Sequence, residues 1–295
     1  MEKIPIILDT DIGDDVDDTW AIIFMLHCPE LDIKLINVAL KNSVARAKMV
    51  ADILVRENRT DIPIGLGVKA EKRELFNKSW SADFDLKNYA GEIVEDGIER
   101  AAEIVRASEK DVTLIAIAPL PNVSAFVEKY PELVEKINFV GMYGSVYLGY
   151  DGKNTPDPEY NVVEYIDCAQ KVFSAPWKSM TVTPLDTCGL VRLTGDDFLD
   201  IKNYDSEPIK HLMECYRAWA GGYNDVQSSV LFDTVAIYLA FKKDFITLEK
   251  LNVRVDENGY TVIDDINGKP GLWATAWNYY GKYTEFLLRR LKGYS

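Results

Sequence analysis

Positive charge is scarce in this chain. Lys and Arg number 33 against 47 Asp and Glu, a formal net charge of −14 over 295 residues. A surface that acidic repels nucleic acid and anionic membranes, and it disfavours polyphosphates unless a metal intervenes. A neutral small molecule fits better as a partner. No apolar run reaches the length of a membrane span. "MEKIPIILD" is expected to enter a strand almost at once, with no signal peptide before it. No C-x-x-C spacing relates Cys28, Cys168, Cys188 and Cys215. They read as reduced thiols of a cytoplasmic protein. No Gly/Ser-rich or Pro-rich linker, repeat or low-complexity tract interrupts the sequence. One domain over residues 1–295 is therefore expected, and the 47% hydrophobic content is ample for its core.

Strand and helix signals alternate through the first two thirds. "IPIILDTD" reads as a buried strand and "DDTWAIIFMLHC" as a helix, with Ala21, Ile22, Met25 and Leu26 on one face. "DIKLINVAL" is a second strand. "SVARAKMVADILVREN" is a helix with Val44, Ala47, Val50, Ala51 and Leu54 inward. "IPIGLG" is a short third strand, 68–91 is irregular and aromatic, and 92–108 is helical. "VTLIAIA", "INFVGM" and "SMTVTPL" are further strands. The last third is richer in helix, at 207–219, 230–242 and 278–291, with a hairpin "LNVRVDENGYTVI" turning at 257–259. This pattern predicts an α/β fold: an open, mainly parallel, Rossmann-like sheet covered by helices on both faces. Sites in such sheets lie at the carboxyl ends of the strands. Three of those ends carry polar or special residues: the aspartates after the first strand, "LKN" after the second and "APLPN" after "VTLIAI".

The first strand end raises the sharpest question. Six aspartates, Asp9, Asp11, Asp14, Asp15, Asp17 and Asp18, fall within ten positions. A solvated turn with a helix cap explains one or two of them. Six would repel one another and oppose folding. A hard cation such as Ca²⁺ or Mg²⁺ relieves that repulsion, and carboxylates are what it takes. The order does not fit a calcium loop of the form D-x-[DN]-x-[DN]-G, because Gly13 stands where the third ligand belongs. The same glycine argues against a haloacid dehalogenase-type phosphotransferase.

"DTDIGDDVDDTWA" resembles the N-terminal signature of the inosine-uridine preferring nucleoside hydrolase family: a strand, D-x-D-x-G, a paired D-D and a helix beginning x-x-A. The pair here is Asp17-Asp18, ahead of "TWAI". The resemblance continues in order through "LIAIAPLPNVSAF", "DPEYNVVEYIDCAQKVF", "VTPLDTCGL" and "VLFDTVAIYLA". Five motifs in sequence make it specific.

The resemblance implies the nucleoside hydrolase fold and hydrolysis of the N-glycosidic bond of ribonucleosides, giving ribose and free base. It implies Ca²⁺ held by Asp11, Asp18, Asp233 and the Ile117 carbonyl, with Asp11 also the general base toward water. Asp17, Asn42, Glu159 and Asn161 would hold the ribose hydroxyls, with Asn154 a further candidate. Each has a plainer alternative: Asn42 as a strand terminator, Glu159 and Asn161 as loop surface, Asp233 as a first-turn acid. Asp9, Asp14, Asp15 and Asp186 are expected to support the site or the fold. Trp80, Trp219, Tyr223 and Trp273 are candidates for stacking on the base. Dimers or tetramers of the same chain are usual in this family.

One departure stands out. Family members carry a His directly before the late metal Asp, assigned to the leaving base; here that position is Phe232, and the chain has only His27 and His211. Two other readings stay open: a hydrolase of another N-ribosyl compound such as nicotinamide riboside, and a non-catalytic calcium-dependent riboside binder.

Overall fold

The computed structural model describes residues 2–70, 75–77 and 79–294. Its strands are β1 Ile4–Thr10, β2 Leu31–Val38, β3 Ile64–Leu66, β4 Ile93–Val94, β5 Val112–Ala116, β6 Ile137–Met142, β7 Ser179–Thr183, β8 Ile246–Val255, β9 Thr261–Ile263 and β10 Lys269–Trp277. Among the described residues they form one ten-stranded sheet in the order β4-β3-β2-β1-β5-β6-β7-β10-β8-β9. Pairing is parallel from β4 to β10 and antiparallel from β10 through β8 to β9.

β1 shows why this sheet is buried on both sides. Ile6 and Leu8 face one apolar cluster, and Ile7 faces the other, as the two-residue period of a strand requires. The first cluster draws on the helices Asp17–Leu26, Ser43–Arg56, Glu207–Ala218, Phe232–Leu239 and Tyr280–Leu291. The second draws on Gly97–Ala107, Pro121–Lys129 and Ile166–Ser174. The chain is thus α/β with a mostly parallel sheet and helices on both faces. Strand order reverses between β1 and β5, which opens a crevice at their carboxyl ends.

Two sequence expectations need correcting, and one strand lay outside them. Val44 is 60% exposed, because the inward stripe of its helix runs through Arg46, Ala47, Val50, Ala51 and Leu54 instead. The helix expected over 92–108 spans Gly97–Ala107. The residues ahead of it form β4 and the cap Asp96, whose carboxylate accepts the Ile98 and Glu99 N–H groups at 3.1 and 2.9 Å. β10 was not anticipated. Leu272 and Trp273 pair with β7, and β10 lies between β7 and the β8–β9 hairpin.

Candidate functional site

The acidic stretch folds directly onto the carboxyl end of β1. Val16 occupies the N-cap of the first helix without a side-chain cap bond, and Asp17 and Asp18 lie inside its first turn. Helix capping therefore does not account for them. Both are buried, as are Asp11 and Asp233. Asp233 arrives from the C-terminal third on the helix Phe232–Leu239, which packs against Asp17–Leu26. Carboxylate oxygens of Asp17, Asp18 and Asp233 lie within 4.8 Å of one another. The Thr10 hydroxyl donates to Asp18. Burial, then mutual repulsion, holds Asp11, Asp17, Asp18 and Asp233 well above the usual carboxylate range.

These acids open into a cavity of about 210 Å³, lined by Asp11, Asp14, Asp15, Asp17, Asp18, Phe76, Ile117, Met142, Tyr150, Glu159, Tyr160, Asn161, Phe232 and Asp233. No Lys, Arg or His is among its described lining residues. Buried like charges need a counter-ion, and an all-oxygen donor set fits a hard divalent cation. Behind the acidic loop lies the buried Arg46. It donates to the carbonyl oxygens of Asp11 and Ile12 and, at 2.9 Å, to the Asp14 carboxylate.

The opposite wall comes from the ends of β5 and β6. The Ile117 N–H donates to the Asp9 carbonyl at 2.9 Å, carrying the β1–β5 ladder to the cavity edge. Glu159 precedes the short helix Tyr160–Val163 and accepts the Asn161 and Gly144 N–H groups at 2.7 and 3.0 Å. Burial pushes its carboxyl up to about 7 in spite of those donors. Asn161 donates to the Met142 carbonyl at 3.3 Å. Asp186 takes the N–H groups of Val146, Tyr147 and Leu148 and so shapes the adjoining loop.

The structure thus brings Asp11, Asp17, Asp18, Ile117, Glu159, Asn161 and Asp233 to one cavity. The three-carboxylate group contains Asp17 rather than Asp11. Asn42 does not line the cavity. It holds a left-handed conformation (φ 64°) two residues after Leu40 (φ 68°), and its Nδ2 is buried with no partner among the described residues. Backbone in this region is strained for residues other than glycine.

Asn154 is exposed. The loop 149–157 folds on itself: the Gly149 N–H donates to the Lys153 carbonyl and the Tyr150 N–H to Asp157, at 3.0 and 2.9 Å. That turns Tyr150 inward instead, its ring edge-on to Phe232 with centroids 6.4 Å apart, its hydroxyl accepting the Tyr160 N–H at 2.9 Å. Trp80 and Trp273 are core residues. Trp219 and Tyr223 pack on Tyr216. None of these four lines the cavity; Phe76, Met142, Tyr150, Tyr160 and Phe232 supply its apolar lining. For Trp80 and Trp273 the reason is area: a large ring gains most where it is enclosed. His27 bonds the Arg290 carbonyl and Glu57, and His211 is buried near Asp52 and Cys215, both away from the cavity.

Sequence reading missed Arg46, Asn77, Asn122 and Tyr150. Arg46 had a usable signal, a charge on an apolar helix stripe. Asn122, in the "LPN" of a flagged strand end, donates to Asp9 at 2.6 Å. Asn77 and Tyr150 lie in aperiodic loops and had none.

Comparison with known proteins accords with this geometry. The model of the inosine-uridine preferring nucleoside hydrolase family matches residues 6–279, and the chain belongs to that family. It is 27% identical over 291 residues to the non-specific ribonucleoside hydrolase RihC of Klebsiella pneumoniae subsp. pneumoniae, covering 93% of this chain and 92% of that protein. It is 34% identical over 191 residues to the pyrimidine-specific ribonucleoside hydrolase RihA of Escherichia coli, covering 58% of this chain and 57% of that protein. The solved plant nucleoside hydrolase PpNRh1 superposes with a TM-score of 0.84 at 20% identity, covering 98% of this chain and 99% of that one, and shares its fold.

Proposed function

We propose, with membership of that family as premise, that this chain hydrolyses the N-glycosidic bond of ribonucleosides and uses calcium to do so. The observation that carries the reading is the buried group of Asp17, Asp18 and Asp233 in a cavity that also presents Asp11, Glu159 and Asn161. Asp18 and Asp233 would hold the ion together with Asp11 and the Ile117 carbonyl, and Asp17, whose carboxylate meets those of Asp18 and Asp233, borders the same place. Bound there, a calcium ion cancels carboxylate charge and polarises the oxygens it coordinates.

The side chains do the rest. Asp11 takes a proton from the attacking water at its carboxylate oxygen. Asp17, Glu159 and Asn161 hold the ribose hydroxyls; Asn42, outside the cavity lining but with a buried Nδ2 lacking a partner among the described residues, would have to turn inward to join them. A site built on such hydrogen bonds rejects a deoxyribose by a large factor. The acidic wall favours the cationic, oxocarbenium-like transition state over the neutral substrate. Four free cysteines, three of them buried, are in keeping with a cytoplasmic setting.

A second reading has one observation in its favour. No histidine lines the described cavity, so a leaving group that needs no proton is well served. Nicotinamide riboside is such a substrate, since its base departs neutral. Release of reducing sugar from purine, pyrimidine and nicotinamide ribosides, with and without calcium, tests both. Turnover of common ribonucleosides supports the first, turnover confined to nicotinamide riboside the second, and calcium-dependent binding without turnover would make the chain a binder.

A further inference from the structure

The acidic loop is held by its backbone, and the grip comes from two side chains. Arg46 donates to the carbonyls of Asp11 and Ile12, the latter at 2.9 Å. Asn77 takes the next two: its Nδ2 donates to the Gly13 carbonyl at 2.9 Å and to the Asp14 carbonyl at 3.3 Å. The Asn77 backbone N–H adds a bond to Gly13 at 3.1 Å. Four consecutive carbonyls, 11 to 14, are therefore committed away from the cavity, while Asp11, Asp14 and Asp15 line it. Gly13 lies at φ +103°, and a Cβ there would meet Leu75 Cδ1 at 2.7 Å and Met49 Sδ at 2.9 Å. The loop has little room to adopt another path.

Asn77 makes one more contact. Its Oδ1 accepts the Ala220 N–H at 3.0 Å, which ties the loop after the helix Glu207–Ala218 to the acidic loop. Asn77 is buried and directly follows Phe76, a lining residue. Arg46 also acts through its charge, drawing the carboxyl of Asp11 down. Asn77 carries no charge, so what it supplies is position.

We propose that Asn77 is a positioning residue of the active site: its amide locks the Gly13–Asp14 carbonyls so that Asp11 and the Asp17-Asp18 pair converge on one ion, and registers the Ala220 loop to them. The inference rests on the calcium-dependent hydrolase reading above. Supporting residues of this kind are typically worth about 10- to 100-fold in metal affinity or activity.

The test is N77A, with N77D beside it. N77D keeps an oxygen for the Ala220 N–H but loses the amide donors. Calcium binding by calorimetry on the metal-free proteins and kcat and KM at saturating calcium are read against wild type. The expected result for both is calcium affinity weaker by roughly 10- to 100-fold, and a kcat at least about tenfold down with saturating calcium. Should N77A fail to fold, N77D carries the test. Either variant lying within twofold of wild type in calcium affinity and in kcat would overturn the proposal, even with a lower melting temperature, because that is what mere packing would give. Wild-type protein that neither binds calcium nor releases ribose would instead overturn the functional reading.

Discussion

The two sides of the cavity are built on different principles. The acidic side is charged, buried and bound at almost every backbone oxygen: carbonyls 9 to 14 all accept hydrogen bonds, from Ile117, Ala39, Arg46 and Asn77. Phe76, Tyr150 and Phe232 give the cavity its aromatic lining, and the Tyr150 side chain is held through its hydroxyl and a ring edge. Charge at low dielectric must be arranged exactingly, because an unpaired buried carboxylate costs several kcal/mol. An aromatic wall asks only for area and rough shape. Substitution on the acidic side should therefore act on chemistry and metal, and substitution on the aromatic side on the choice of leaving group.

The largest expected effect breaks the acidic side at its proposed base. Asp11→Asn should lower kcat by about 10²–10⁴-fold at saturating calcium, with the fold retained. Steady-state kinetics over a calcium series separates lost proton transfer from lost metal. Activity within a few-fold of wild type at saturation would remove Asp11 from the base role.

A smaller effect sharpens the electrostatic half of the comparison. Burial pushes Asp9 and Glu159 up to about 7, and Asp17, Asp18 and Asp233 are also raised. A carboxyl that binds its proton more tightly when folded than when unfolded costs stability as pH rises. Melting of the calcium-free protein should therefore fall between about pH 5 and pH 8, and calcium affinity should rise over the same interval as protons stop competing. Calcium at 100 times its Kd adds about 2.7 kcal/mol. Calorimetric scans with and without the metal check both signs; a metal-free protein that is most stable at the alkaline end would contradict them.

The smallest effects come from residues the cavity does not use. His211→Gln and Asn154→Ala should each leave kcat and KM within about twofold, since neither side chain lines the site. General-acid help is worth about 10²–10⁴-fold, so a hundredfold fall for His211→Gln with calcium affinity intact would relocate the leaving-group side.

The order of most elements, β4 and β10 apart, and the acidic character of the first strand end were legible in the sequence. Strand and helix periods are local, and six aspartates at a strand end point to a cation whatever surrounds them. The aromatic side was not legible. Trp80, Trp219 and Tyr223 have the same composition-level appeal as Phe76 and Tyr150, and only packing separates a core ring from a lining one. The exposed position of Asn154 was not legible for a related reason: hydrogen bonds within 149–157 set which side chain turns inward, and a motif match does not see them.

By itself, then, the sequence determined a mainly parallel α/β sheet and put a cluster of acidic oxygens at the end of its first strand. Tertiary structure decided which carboxylates meet. Asp233 reaches Asp17 and Asp18 because two apolar helices pack across one face of the sheet, and Arg46 and Asn77 reach the loop from elements distant in the chain. Residue type follows from the reaction's need for charge and hydrogen bonds. Convergence follows from packing and backbone bonding over long separations, which no local pattern records.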